Sequence, residues 1–245
     1  ITLDDDLDRA SELILAGKRV ATTNADWLIQ IGALDVIVEC TGIPEVGARV
    51  CHAAIEAGKH IVNMNVEADA TIGYLLAHRA RARNVVYTLA AGDEPGSIKE
   101  IYDFADALGF EIVTIGKGKN NPLDRTANPD TVAARARAEI MNPKMLASFV
   151  DGTKTMVEMT SIGNATGFAP EVPGGYGPHC AVQDLAKVFV PKSAGGIFNA
   201  PGAVDYAVGP APGVFVIITT DQPKIIRDLK YLHLNGHGDY WALYR

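Results

Sequence analysis

The stretch from Leu34 to Gly42, L-D-V-I-V-E-C-T-G, limits the fold more than any other. An unbroken apolar, β-branched run closes on a small polar turn, and Pro44 then opens a helix over 45–57. This is how a buried parallel strand hands over to its crossover helix. The unit recurs. After the Gly58 stop, 59–63 reads as a strand and 68–83 as a helix; 85–89 is a further strand. A-A-G-D-E-P-G at 90–96 then turns into a helix reaching Leu108, and 110–116 is another strand. Strands alternating with helices long enough to cross over predict α/β architecture, a parallel sheet with helices on its faces. Ligands collect outside the carboxyl ends of such strands, so Cys40, Thr41 and Gly42 lie on a binding edge.

Ahead of this core, 4–16 has apolar residues at helical spacing, acids in its first turn and Gly17 as a stop. A shorter helical segment over 23–31 has Asn24 and Asp26 as caps and turns Trp27, Leu28 and Ile31 inward. Beyond Gly116 the texture changes. K-G-K-N-N-P-L-D-R-T-A-N-P-D is a long polar loop, of the kind that is functional or disordered. Residues 131–163 read as helical with a break at Asn142-Pro143. Residues 164–202, rich in Gly and Pro, predict irregular backbone; 203–208 and 214–219 predict two strands, antiparallel across the turn G-P-A-P-G, and 221–230 a last helix. The divisions expected are 1–96, 97–202 and 203–245.

With 245 residues, 48% of them hydrophobic, the chain buries a full core. A net charge of −7 argues against nucleic acid or an anionic membrane as partner. Three unmotifed cysteines, Cys40, Cys51 and Cys180, fit reduced thiols in a cytoplasmic protein, and no apolar run approaches the roughly 20 residues of a membrane span. Asn164-Ala-Thr reads as a chance glycosylation sequon. The six histidines lack metal-ligand spacing, and no Gly-x-Ser-x-Gly elbow supports a hydrolase. A homodimer is the default expectation.

A dinucleotide-binding fold normally opens with a strand, a G-x-G-x-x-G turn and a helix. No such turn follows an early strand here, and Gly116-Lys-Gly118 comes late and lacks the third glycine. Both ends cut through apparent structure, so the expectation is a fragment beginning inside such a domain: a partial Rossmann-type sheet, its first strand and glycine-rich turn missing, followed by an α+β domain.

V-E-C-T-G at 38–42, G-K-H-I-V-N at 58–63 and A-G-D-E-P-G at 91–96 resemble the homoserine dehydrogenase superfamily. Together with G-K-G-K-N-N-P-L-D-R at 116–125 and D-G-T-K-T-M-V-E-M-T-S at 151–161, the run is most similar to its deoxyxylulose-phosphate-reductoisomerase-like branch, across the whole chain. The resemblance implies a dinucleotide-binding half, a catalytic half and a C-terminal SAF-type segment, most of which would be missing. It also implies an NADP- or NAD-dependent oxidoreductase that rearranges and reduces deoxyxylulose phosphate to methylerythritol phosphate in isoprenoid precursor synthesis. Two alternatives stand beside it: reduction of an amino-acid semialdehyde, as in homoserine dehydrogenase, and a non-catalytic regulatory module. One departure bears on both. Where homoserine dehydrogenases carry a catalytic lysine in T-A-N-K, this chain reads N-M-N-V-E, with Val66 in that place; an apolar group neither polarises a carbonyl nor moves a proton.

Carbonyl reduction builds negative charge on oxygen and needs a fixed cation or proton donor there. Lys117 and Lys119, alternating with Gly118 at the end of a predicted strand, are placed to extend past the sheet edge as catalytic groups, and Asn120, Asn121 and Arg125 follow as substrate ligands suited to a phosphorylated or acidic compound. Asp151 and Lys154 share a helix face if the helix runs through Gly152, with Glu158 one turn on; the resemblance implies a catalytic Asp–Lys pair in this region. For the cofactor, three adjacent strand ends supply Thr41 and Gly42, then Asn65 and Glu67, then Gly92, Asp93 and Pro95. Reductoisomerases require a divalent metal, for which Asp93 and Glu94 are the candidates, although adjacent side chains diverge.

Overall fold

The computed structural model describes residues 1–3 and 6–245 and divides into two compact units, Ile1–Asp93 and Glu94–Arg245. Unit 1 runs α1 (Leu7–Leu15), α2 (Ala25–Gln30), β1 (Val36–Glu39), α3 (Pro44–Glu56), β2 (His60–Asn63), α4 (Val66–Ala82) and β3 (Tyr87–Leu89). Of the expected first helix, Asp4 and Asp5 lie outside the described residues; Asp6 caps it by accepting the Arg9 N–H at 2.8 Å. Asn24 caps α2, accepting from Asp26 and Trp27, whereas Asp26 sits in the helix and pairs with Arg49.

The three strands are parallel in the order β1-β2-β3. Right-handed crossovers between sequential neighbours put α3 and α4 on the same face. That face holds the core, with Ile37, Val50, Cys51, Ala54, Ile55, Ile61 and Leu76. The focal strand is therefore not buried on both sides: Ile37 and Glu39 point inward, while Val36 and Val38 are 47% and 56% exposed.

Unit 2 comprises α5 (Glu94–Ala107), β4 (Glu111–Lys119), α6 (Ala133–Ala138), α7 (Pro143–Asp151), α8 (Thr153–Thr166), α9 (Leu185–Val188), β5 (Ala203–Val208), β6 (Val214–Thr219), α10 (Pro223–Tyr231), β7 (Gly236–His237) and β8 (Tyr240–Tyr244). Its sheet runs β5-β4-β6-β8-β7. β5 is parallel to β4 and β6 antiparallel to it, so β5 and β6 do not form the expected hairpin: β4 lies between them. The connection must straddle roughly 10 Å, two inter-strand spacings, which five residues can span. It arches over the end of β4, where the Gly118 N–H donates to Gly213 O at 2.8 Å.

Two glycines let β4 run three residues past its expected end at Gly116. A Cβ on Gly116 would stand 2.2 Å from Asp205 O, and one on Gly118 1.5 Å from Pro210 O. Glycine here marks close backbone approach, not a strand end.

A β-bulge between Ile112 and Thr114 sets which way β4 faces. Ile112 and Ile115 join the core under α5 and α8, with Ile98, Met159 and Ile162. Val113 instead packs on the other side with Phe189, Phe198 and Phe215, the side on which the Thr114 hydroxyl donates to Phe189 O at 2.8 Å. The extra residue shifts the alternation by one, so that 115, 117 and 119 all face the helices. The expected helical stretch 131–163 breaks at Asn142-Pro143, where the Asn142 side chain caps α7, and again at Gly152, whose φ of +92° ends α7 and starts α8.

Gly118→Ala drives a methyl into the Pro210 carbonyl with no flexible side chain to yield. It should cost about 3 kcal/mol or more, read as a fall in the urea midpoint of unfolding at unchanged m-value.

Candidate active site

Unit 1 offers a polar carboxyl edge. Buried Glu39, the last residue of β1, accepts from both the Thr41 N–H, at 2.9 Å, and the Thr41 hydroxyl. Its other carboxylate oxygen, Oε2, is buried with no hydrogen-bond partner. After β2, the Asn65 N–H donates to Asn63 Oδ1 at 2.9 Å, while its side chain donates to Ile43 O at 3.0 Å and caps α4 by accepting from Ala68 at 3.2 Å. Asn63 also donates to the Tyr87 hydroxyl at 3.0 Å, which donates to Asp69 at 2.9 Å. Burial, and then the Asp69 charge, push the Tyr87 phenol above its usual range. Burial, with Glu39 and Asp69 behind it, raises the Cys51 thiol to about 12; it is an inert core thiol.

The residues expected to hold a cofactor follow these strand ends. Gly42 takes φ +67° after β1, Asn65 and Glu67 open α4 after β2, and Gly92, φ +97°, and Asp93 follow β3. Because the strands are adjacent and parallel, the three turns form one row. Asn65, however, is buried and its amide is already spent on the cap and on Ile43. Pro95 belongs to unit 2, buried in the first turn of α5.

Unit 2 holds a charged cluster. β4 carries Lys117 and Lys119 within the sheet, not past its edge: Lys117 is flanked by Tyr206 of β5 and Val214 of β6, and Lys119 by Val208. The bulge turns both toward the helices, where they are only 6% and 4% exposed. Lys117 Nζ donates to Glu94 Oε1 of α5 at 2.7 Å and to Glu158 Oε2 of α8. Lys119 Nζ donates to Phe149 O, in the last turn of α7, at 2.7 Å.

These settings move the titrations apart. Burial works against a charged Lys117, but Glu158 and Glu94 outweigh it and hold the ammonium above the ordinary lysine range. Lys119 moves down, through burial and then the Lys117 charge, against a weaker pull from Asp151 and Glu158. Glu158, 2% exposed, is raised to about 7, since burial and the Glu94 charge exceed the help it draws from Lys117. Two carboxylates share one ammonium here, and a proton relieves the excess.

The expected Asp151–Lys154 pairing is not formed on one helix face. Gly152 separates the two helices, and Asp151, the last residue of α7, accepts instead from the Thr153 N–H at 2.8 Å and the Thr153 hydroxyl at 2.7 Å. Asn121 accepts from Arg135 at 3.1 Å; Asn120 and Arg125 are exposed. The polar loop is tied to the helices that follow it, its Asp124 N–H bonded to Val150 O at 3.0 Å and its Ala127 packed on a small core of Val132, Ala136, Leu146 and Ala147. Glu39, Glu94 as an ion-pair partner, and Tyr206 were not singled out by sequence. An acid at the inward end of an apolar strand is a signal that points to Glu39.

Glu94 and Glu158 offer carboxylate oxygens within 4.8 Å of each other, hard donors of the kind a divalent ion takes, and Lys117 bridges the two. A nicotinamide cofactor would be held in unit 1. The row of strand-end turns in unit 1 and the buried leftover acceptor of Glu39 suit a hydroxyl-bearing ligand, though the sequence shows no glycine-rich pyrophosphate turn after an early strand.

The fold is a Rossmann-like nucleotide-binding unit followed by an α+β unit. Residues 1–89 match the NAD-binding domain of homoserine dehydrogenase. The chain belongs to the oxidoreductase DRL family, whose catalytic domain matches residues 92–245. No curated protein matches it. Among solved structures, an NAD-binding oxidoreductase from Klebsiella pneumoniae is 20% identical over 52% of this chain and 35% of its own, with a TM-score of 0.36. GnnA, a UDP-N-acetylglucosamine 3-dehydrogenase from Acidithiobacillus ferrooxidans, is 18% identical over 49% and 39%, with a TM-score of 0.32. The WlbA dehydrogenase from Bordetella pertussis, solved with NADH and UDP-GlcNAcA, is 13% identical over 53% and 40%, with a TM-score of 0.34. This chain thus spans well under half of each, and likenesses so distant carry nothing about activity. Among the described residues, no helix is long and apolar enough to cross a membrane.

The raised Glu158 carboxyl has a consequence for stability. The folded chain holds this proton more tightly than the unfolded one, so the contribution is fully present below about pH 4.5 and is lost as pH rises through about 7. Wild type should lose on the order of 3 kcal/mol relative to Glu158→Gln across that window; urea titrations at stepped pH measure it, and parallel curves for the two proteins would count against it.

Proposed function

We propose that this protein uses a nicotinamide cofactor to reduce the carbonyl of a small phosphorylated or acidic substrate, and more specifically that it acts as a reductoisomerase, converting deoxyxylulose phosphate to methylerythritol phosphate with NADPH. The observation that carries the reading is the pair of buried lysines side by side on β4. Ammonium groups taken out of water are costly, and a solvated basic loop would not hold them there. In a site of low dielectric such cations act strongly on a developing oxyanion.

In this reading Lys117 and Lys119 anchor the substrate and polarise its carbonyl. Arg125, exposed on the following loop, meets the phosphate, where a guanidinium makes paired hydrogen bonds. Asn120 and Asn121 border the same loop. The turns at Thr41, Gly42, Gly92 and Asp93 bind the cofactor, which when bound supplies the hydride. Val66 is fully buried in the first turn of α4 and gives semialdehyde reduction of the homoserine dehydrogenase type no lysine to work with.

Lys117→Met should lower turnover about 10²- to 10³-fold and leave NADPH affinity within about twofold, since uniform cofactor binding does not depend on the group that stabilises the transition state. NADPH oxidation with deoxyxylulose phosphate, run beside a panel of semialdehydes, gives turnover, and quenching of NADPH fluorescence gives affinity. Turnover preserved while cofactor binding collapses would overturn the roles given to the lysines.

A further inference from the structure

The 14-residue helix α8 opens on Gly152, whose φ of +92° breaks it from α7. The break leaves Thr155 without its usual partner. A threonine inside a helix donates its hydroxyl back to the carbonyl four residues earlier, and Thr71, Thr160 and Thr166 all do so, to Glu67, Met156 and Ile162. For Thr155 that carbonyl belongs to Asp151, on the far side of the left-handed junction. Among the described residues the Thr155 hydroxyl has no hydrogen-bond partner, although the residue is only 5% exposed. Its N–H does not reach the Asp151 carbonyl either: the first backbone bond of α8 runs from the Met156 N–H to Gly152 O, at 3.1 Å. Side chains of a helix lean toward its N-terminus, so Thr155 presents a hydroxyl and an N–H together at the positive end of α8.

This end of the helix faces a cation. α8 runs antiparallel to β4 and β5: a Cβ on Gly163 would stand 3.9 Å from Val204, which is in register with Ile115, and Glu158, nearer the helix start, holds Lys117. Thr155, on the same buried face one turn earlier again, therefore comes to the level of Lys119. Lys119 is 4% exposed, and its Nζ donates to Phe149 O, at the end of α7, at 2.7 Å. The acids that act on it are Asp151, which accepts from Thr153, and Glu158, which accepts from Lys117. The loop carrying Arg125 is held at the same junction, where a Cβ on Gly152 would meet Leu123 at 3.0 Å.

We propose that the start of α8 is the seat of the substrate's phosphate group, received by the Thr155 N–H and hydroxyl and by the Lys119 ammonium. The assignment rests on the reading above that the substrate is phosphorylated. Backbone N–H groups and the dipole at a helix N-terminus favour a phosphate oxygen, and the buried hydroxyl adds a donor with nothing else to bind. With Lys119 on the phosphate, Lys117, roughly 7 Å away along the strand, is left to face the carbonyl.

The test is binding of inorganic phosphate to the whole chain, followed by calorimetry and by ¹⁵N–¹H NMR at an ionic strength held constant with chloride. The Thr155 amide signal should move and saturate over millimolar phosphate. Thr155→Val, which keeps the β-branched shape and loses only the hydroxyl, should weaken binding about tenfold, while Thr155→Ser should bind as wild type does. A threonine kept only for packing predicts the reverse order, with valine the milder change. Should the valine variant not fold, the amide signal of the wild-type chain decides the matter by itself. If phosphate leaves that signal in place, or if Thr155→Val binds phosphate as tightly as wild type, the assignment is overturned, whatever the protein reduces. If Thr155 takes phosphate but no phosphorylated carbonyl compound is reduced, the oxidoreductase reading is what fails and the anion site stands.

Discussion

Removing an ammonium from water costs several kcal/mol, and the cost is recovered only by close, well-oriented anions. Lys117 meets this condition with carboxylates from two different helices. One cation therefore ties α5, β4 and α8 together at a point where the neighbouring core is otherwise Ile98, Ile115, Met159 and Ile162. Removing Lys117 leaves buried carboxylate charge uncompensated, which costs about 3–5 kcal/mol, whereas removing either carboxylate leaves one ion pair. The same arithmetic explains Glu158. With two carboxylates against one ammonium, the deeper acid keeps its proton to higher pH, so the cluster approaches neutrality at a neutral pH without needing a second cation.

That cluster exists only because β4 changes phase. Had the strand alternated regularly from Ile112, residues 114, 116 and 118 would face α5 and α8, and the lysines would point at Phe189 and Phe215, away from Glu94 and Glu158. The single residue at the bulge exchanges the two faces. The glycines complete the arrangement from the opposite side: Gly116 admits the Phe215 ring and Gly118 admits the 209–213 loop. The alternation G-K-G-K is thus two requirements interleaved, bare backbone on one face and charge on the other.

Much of the fold was legible from sequence, because its signals are local. The repeated strand and crossover helix in unit 1, the proline break before α7 and the strands at 203–208 and 214–219 all come from patterns a few residues long. What was not legible depends on contacts made across the chain. Nothing near residues 203–219 says that β4, about 90 residues earlier, will insert between the two strands. Gly152 looked like a tolerated helix interior and is a left-handed junction. The lysines were legible as chemistry, yet their burial required the bulge, which leaves no trace in hydrophobic periodicity. Glu39 was overlooked inside the very motif that identified its strand, since a lone acid in an apolar run reads as noise until its environment is known.

The two units meet the need for polar groups in different ways. Around the strand ends of unit 1, Asn63, Asn65, Tyr87 and Asp69 form a chain of hydrogen bonds, and the buried Lys59 is spent on the carbonyls of Ile31 and Leu34. A lysine at position 66 would enter the first turn of α4, where the helix dipole already presents partial positive charge and Glu67 and Asp69 are the acids at hand. Valine, fully buried there, is the residue that this setting tolerates. Buried cations belong where anions answer them, and on β4 Lys117 has both Glu94 and Glu158.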